Sequence, residues 1–198
     1  MKQLVIATRN SGKLREFRDL LLPLKCVVLS LTDMSIDADV EESGSSFAEN
    51  ARLKALEYSR LAAIPVLADD SGLEVEALNG RPGVHSARYA GQGASDSDRI
   101  RKLLRELEGS GRPRNARFVC ALALARNGNL LVESEGECRG IIAPEPQGTN
   151  GFGYDPVFYF PELKKTYAEL TGEEKNRHSH RAHAVASLLR KLIGTQKR

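Results

Sequence analysis

Residues 7–13, ATRNSGK, set hydroxyl, guanidinium, amide and ammonium groups between a short apolar run and a helical pattern. The first amides of a helix have no intrahelical acceptor and favour an anion, and a lysine adds charge to that preference. A Walker loop would need G-x-x-x-x-G-K-[ST]. Ala7 stands at its first glycine and Leu14 at its metal-binding hydroxyl, so that reading is rejected. An anion-facing turn and a plain polar turn remain.

Four further stretches carry candidate chemistry. In ADDSGLEV, Asp69 and Asp70 are expected directly after a strand, at the carboxyl end where open α/β sheets place their ligands. Adjacent side chains of an extended segment point to opposite sides, so the two aspartates should have different duties. One would coordinate metal or activate water while the other holds the loop; an Asx turn is the plainer alternative. In VEESGSSFAEN, Glu41 and Glu42 precede a helix. Such carboxylates could join substrate phosphate oxygens around magnesium, or serve only as surface acids near a helix start.

GTNGFGYDP, residues 148–156, has glycines at 148, 151 and 153, which let a backbone approach a ligand closely. Phe152 and Tyr154 offer aromatic faces and Asp155 an acceptor. Pro156 occupies the third glycine position of a dinucleotide fingerprint, so that motif is absent. In EEKNRHSHRAH, three histidines lack H-E-x-x-H spacing and a neighbouring cysteine, which argues against zinc. Lys175, His180 and Arg181 read better as donors to a base edge or to phosphate, with a solvated helix face as the bland alternative.

The elements that must position these residues follow from pattern and punctuation. The apolar run predicts a strand over Gln3–Thr8, and Leu14, Phe17 and Leu21 predict a helix over residues 12–22, ended by Pro23. Cys26–Leu31 reads as a second strand, and residues 32–45 as irregular. Ser46 and Glu49 form a capping box for a helix reaching Ala62. PVLADD and LEVEAL read as two short strands around Ser71-Gly72. Ser95 opens a helix to Leu107, and GSGRPRN is a connector. ARFVCALALAR and LLVESEGECRGIIA, joined through NGN, predict a hairpin, and PVFYF a further strand. Thr171–Glu174 repeats the capping-box spacing, and Val185, Leu188, Leu189 and Leu192 line one face of a terminal helix. Helices mixed with an antiparallel hairpin favour a mixed-sheet α/β fold.

The totals set limits. The 198 residues suit one domain, or one domain with two lobes, and 41% apolar with 28% charged residues suits a soluble globular chain. Interspersed charges and a formal charge of +3 argue against a nucleic-acid partner. The sequence has no apolar stretch long enough for a signal-peptide core or a membrane span. Cys26, Cys120 and Cys138 are too scattered for a disulfide framework, and Cys26 and Cys120 read as buried thiols. The expectation is a cytoplasmic protein.

The compound pattern is more specific than its parts. T-x-N-x-x-K at residues 8–13, E-E-x-G-x-x-F-x-E-N-A, A-D-D-S-G-L, P-G-V-H-S-A-R-Y, G-T-N-G-F-G-Y-D-P-x-F and S-H-R occur in this order from Thr8 to Arg181. In this the chain resembles the inosine triphosphate pyrophosphatase family, in its bacterial dITP/XTP pyrophosphatase branch. The resemblance implies an elongated mixed β-sheet with flanking helices, two lobes with a central cleft, and a homodimer. It implies Mg2+-dependent hydrolysis of deaminated purine nucleoside triphosphates (dITP, ITP, XTP) to the monophosphate and pyrophosphate, cleansing the nucleotide pool.

Carried over by position, Thr8, Arg9, Asn10, Ser11, Gly12 and Lys13 would cradle the triphosphate. Asp70 would be the proton acceptor for water and, with Glu41, a magnesium ligand. Ser71 would touch substrate; Phe152, Gly153, Tyr154 and Asp155 would hold base and sugar; Lys175, His180 and Arg181 would read the base. Arg9 departs from the glycine that many relatives carry there, and its side chain is expected to point to solvent. A Maf-like pyrophosphatase acting on modified pyrimidines or dTTP and a non-catalytic nucleotide-binding module are the competing readings.

Overall fold

The structure, a computed structural model, describes residues 2–195. The described residues form seven strands and five α-helices. They are β1 (Gln3–Ile6), α1 (Ser11–Leu20), β2 (Val27–Ser30), α2 (Phe47–Ala62), β3 (Val66–Val75) and α3 (Asp96–Leu107), then β4 (Asn115–Arg126), β5 (Asn129–Ile142), β6 (Phe158–Phe160), β7 (Lys165–Thr166), α4 (Gly172–His178) and α5 (His180–Thr195). The strands form one sheet in the order β2-β1-β3-β4-β5-β6-β7. β1 pairs in parallel with β2 and β3, whereas β6 pairs antiparallel with β5 and β7. The fold is the mixed-sheet α/β class that the sequence predicts.

Local chemistry accounts for the element ends. Asn10 caps α1, its side-chain oxygen accepting from the Lys13 amide at 3.0 Å. Between β4 and β5 the Asn127-Gly128 turn has φ of 51° and 72°, the double left-handed conformation that suits a two-residue hairpin. Thr171 and Glu174 form the expected reciprocal cap of α4. Ser46 fulfils only half of its predicted box: its hydroxyl accepts from the Glu49 amide, but the Glu49 carboxylate turns to the amide and hydroxyl of Ser45.

The largest departure concerns residues 66–75. Two short strands with a turn at Ser71-Gly72 are predicted; the chain instead runs as the single ten-residue strand β3. Asp-Asp-Ser-Gly favours a turn only when the carboxylates bond to nearby backbone. Here they reach side chains far away in sequence, Lys13 and Asn50, and the backbone stays extended. The two aspartates therefore lie within a strand, not beyond its end. Cys26, predicted to be buried, is only half-buried.

Two compact units divide the chain. One takes the residues up to Asp70, Cys120–Gly136 and those from His180 on; the other takes Ser71–Val119 and Glu137–Ser179. The first has a core of Leu4, Ile6, Phe17, Leu67, Leu122 and Leu188. Val185 and Leu188 are buried and Leu189 and Leu192 partly so, which makes the predicted apolar face of α5 its contact with that core. Gly136 of β5 has no room for a side chain, because a Cβ there would lie 2.2 Å from the Ala184 amide nitrogen of α5. The second unit is built on Leu73, Leu103, Phe118, Phe158 and Tyr167, with the Phe118 and Phe158 rings 4.5 Å apart.

Candidate active site

In the first unit, buried charges gather where β1, β3 and α2 come together. The predicted phosphate turn follows β1. Its Thr8 hydroxyl accepts from the Asn10 amide at 3.2 Å, and Asn10 caps α1, so both side chains serve to shape the turn. Helix geometry leaves the amides of Ser11 and Gly12 directed off the start of α1. Arg9 does not simply point to solvent. Its guanidinium donates to the carbonyls of Asp37 at 2.9 Å and Ala38 at 3.0 Å, tying the turn to the loop before α2.

Lys13 donates to Asp69 Oδ2 at 2.7 Å. An ammonium has three donors, so this bond leaves two for a ligand. Burial alone would raise the Asp69 pKa, but Lys13, then Arg181 and Lys54, outweigh it and lower the carboxyl to about 2. Asp69 is a fixed anion.

Asp70, on the next residue of the strand, meets different neighbours. Its Oδ2 accepts from Asn50 Nδ2 at 3.0 Å, and its Oδ1 lies 3.9 Å from Lys54 Nζ. Lys54 also donates to Glu42 Oε1 at 2.6 Å. Burial raises the Asp70 pKa from its ordinary value, and Lys54 and Asn50 only partly counter it. A carboxyl lifted in this way is a better proton acceptor near neutrality than an ordinary one. The two aspartates thus have different partners: Asp69 binds Lys13, while Asp70 is held by Asn50 beside Lys54.

The carboxylate joined to Asp70 through Lys54 is Glu42; Glu41, the metal ligand that the resemblance implies, is exposed. Among the described residues no group of three or more His, Cys, Asp or Glu side chains is arranged to hold a metal ion. Magnesium asks for less, taking one or two carboxylates together with phosphate oxygens and water. Asp70 and Glu42 already gather around one ammonium, and this all-oxygen donor set fits a hard dication.

His180 and Arg181 open α5 in the same unit, and both are buried. Arg181 is ion-paired with Glu16, and its guanidinium lies 5.7 Å from the centre of the Phe17 ring. Burial works against its charge, but Glu16 and Asp69 more than compensate and raise its pKa. Cys120 lies close by, but burial, reinforced by Asp69, pushes its thiol up to about 12, so it is no nucleophile.

In the second unit, the glycine-rich loop is held from several sides. Asp155 Oδ2 accepts from the Phe152 amide at 2.9 Å and is ion-paired with Lys175. The Lys175 ammonium lies 4.7 Å from the centre of the Phe152 ring, a cation–π contact. The Gly153 amide donates to Asp96 Oδ2 at 2.6 Å. Tyr154 offers no ring face: it is 4% exposed, and its hydroxyl donates to the Ser86 carbonyl. Ser71, half-buried, follows Asp70 in β3.

Sequence reasoning flagged Asp69 and Glu42 as candidate carboxylates but missed Asn50 and Lys54, which bind the cluster together. One signal was available. Phe47, Asn50, Ala51, Lys54, Ala55 and Tyr58 share the buried face of α2 at helical spacing, and a lysine on such a face requires partners.

The fold and these motifs define the class: the chain belongs to the Ham1 family, whose sequence model matches residues 4–191. Among individual relatives, a protein of Geobacillus kaustophilus named dITP/XTP pyrophosphatase is 57% identical over 189 residues, covering 95% of this chain and 93% of its own length. The solved structure of a HAM1 protein from Coxiella burnetii superposes with a TM-score of 0.87 at 45% identity, covering 98% of this chain and all of that one. The Staphylococcus aureus Ham1 protein gives a TM-score of 0.86 at 43% identity, with the same coverage.

Proposed function

We propose that this protein hydrolyses dITP, ITP and XTP to the nucleoside monophosphate and pyrophosphate, removing deaminated purines from the nucleotide pool. The observation that carries the reading is Asp70: a buried carboxyl of raised pKa beside Lys54 and Glu42, in a chain whose 57% identical relative is named for that activity.

Asp70 accepts a proton from water as the water oxygen bonds to the α-phosphorus. The bond from that phosphorus to its bridging oxygen breaks, and pyrophosphate leaves. Lys13 and the amides of Ser11 and Gly12 take up the negative charge that develops on the departing group. Thr8, Arg9 and Asn10 hold the turn in shape for this task. Asp70 with Glu41 and Glu42 would hold Mg2+, which when bound supplies positive charge against the phosphate oxygens and acidifies water.

Phe152 offers its ring to the base, with Lys175 and Asp155 fixing the ring and the backbone of Gly153 and Tyr154 lining the approach. Hypoxanthine and xanthine present an acceptor oxygen at C6, where adenine presents a donor amine. By the resemblance Lys175, His180 and Arg181 would read the base; a cationic donor favours the oxygen, and a buried donor left opposed to an amine discriminates strongly. The same reading makes the protein a cytoplasmic homodimer. No described helix is long and apolar enough to cross a membrane.

The test is to incubate the protein with dITP and Mg2+ and identify the products. dIMP with stoichiometric pyrophosphate is expected; release of orthophosphate alone would refute the assignment. A panel adding dTTP separates this activity from a Maf-like one, and light scattering reads the assembly.

A further inference from the structure

The reading above gives Asp70 its task, and the inference that follows rests on that reading. We infer that Asn50 is the positioning residue of the hydrolytic centre: one side-chain amide aims the Asp70 carboxylate and locks the acidic loop of residues 36–45 to it. Asn50 lies on the buried face of α2 and is 1% exposed. A buried amide is costly unless both of its ends are bonded. Both are. Nδ2 donates to Asp70 Oδ2 at 3.0 Å, and Oδ1 accepts from the Gly44 amide at 2.8 Å. The partners fix the amide's orientation, since only the nitrogen can face a carboxylate and only the oxygen an N–H.

Gly44 independently marks the same contact. A Cβ on it would lie 2.7 Å from Asn50 Oδ1 and 2.7 Å from Glu49 Cβ, although its φ lies outside the left-handed region. Glycine is required there for space, so that the loop can reach the amide. With Oδ2 held by Asn50, Asp70 turns Oδ1 toward Lys54 and, through it, toward Glu42 of the tethered loop. Helix α2 touches the loop at a second point, where the Tyr58 hydroxyl donates to the Ala38 carbonyl at 3.2 Å. That bond does not involve Asp70 and serves as an internal control.

The experiment compares Asn50→Ala, Asn50→Asp, Gly44→Ala and Tyr58→Phe with the wild type. It reads kcat and KM for dITP with Mg2+, melting temperature, and Mn2+ binding without nucleotide from the free-ion electron paramagnetic resonance signal. Removing a group that orients a metal ligand typically costs about 10- to 100-fold in affinity or activity. Asn50→Ala should therefore lose about 10- to 100-fold in kcat, with KM changed less than about threefold and Mn2+ bound about tenfold more weakly. Asn50→Asp keeps the acceptor for Gly44 but removes the donor to Asp70, so kcat should stay low. Gly44→Ala should displace the amide without changing its chemistry and shift kcat the same way, which carries the test should Asn50→Ala not fold. Tyr58→Phe should stay near wild type in every readout.

Wild-type kcat and Mn2+ affinity in folded Asn50→Ala would overturn the inference. So would an equal kcat loss in Tyr58→Phe, which would show that anchoring the loop, not aiming Asp70, is what matters. If the wild type releases no pyrophosphate from dITP, the proposed function fails instead, and the Mn2+ comparison alone decides the role of Asn50.

Discussion

The Lys13 ammonium lies 2.7 Å from Asp69 Oδ2, a carboxylate whose side chain is 1% exposed. The lysine of the turn after β1 is thus held by the residue immediately before the proposed base. β3 makes this possible: adjacent residues of a strand face opposite ways, so one dipeptide serves two partners, Lys13 and Asn50.

Replacing Asp69 with asparagine should leave Lys13 and Arg181 without their shared counter-charge. Breaking a buried pair costs about 3–5 kcal/mol, so Asp69→Asn should be less stable by about 3 kcal/mol at pH 7. The pH dependence has a definite sign. The folded carboxyl titrates at about 2 and the unfolded one at 3.8, so the unfolded chain binds the extra proton between those values. The stabilisation is present above about pH 4 and is lost as pH falls through 2, a loss of about 2 kcal/mol. Denaturant unfolding of both proteins at pH 7, 4 and 3 should show the gap between them narrowing on acidification. A gap that is independent of pH would mean that Asp69 is not held ionised by its neighbours.

Asp70→Asn removes the proton acceptor while keeping an oxygen that can accept from Asn50. Loss of a positioned base typically costs about 10²- to 10⁴-fold, so pyrophosphate release from dITP should fall by about a thousandfold, with the melting temperature little changed. A variant retaining more than about a tenth of the activity would exclude Asp70 as the base, given that range.

The features legible in the sequence were those set by local chemistry. Thr171 as a cap, Asn127-Gly128 as a hairpin turn and the apolar stripe of α5 depend on neighbours within a few residues, and each folds as read. The misread features depend on distant partners. The DDSG stretch stays extended because Asp69 finds Lys13, 56 positions away, and Asp70 finds Asn50, 20 positions away. Arg9 turns to carbonyls 28 and 29 positions on. Lys54 and Glu42 were invisible as a pair for the same reason, since a helix and an irregular loop show no shared period.

Lys175 and Asp155 form a buried pair in the second unit, with side chains 6% and 3% exposed. Lys175→Met should leave the Asp155 charge unpaired and lower stability by about 3 kcal/mol, whereas Lys175→Met combined with Asp155→Asn should cost less than the sum of the single changes. Thermal unfolding of the three variants measures the coupling. Strict additivity would show that the ion pair does not act as a unit.

The loop glycines give the last prediction, because two of them share a backbone conformation but not an environment. Gly151 and Gly153 have φ of +76° and +64°. A Cβ on Gly151 would fall 2.0 Å from Asp155 Oδ2, while one on Gly153 would meet nothing within 4 Å. Alanine at either position incurs the left-handed backbone penalty of about 1 kcal/mol. Only Gly151→Ala also displaces the carboxylate that holds the Phe152 amide and pairs with Lys175. If Phe152 stacks on the base, freeing it should raise KM for dITP by about tenfold, the scale of one base–aromatic contact. kcat should change much less, because Asp70 is untouched. Gly153→Ala should raise KM by no more than about threefold, since it leaves Asp155 in place and only strains the turn. Steady-state kinetics on the two variants separates the cases. Equal effects would show that backbone strain alone governs the loop, and the Asp155 contact would then have no part in holding Phe152 for substrate.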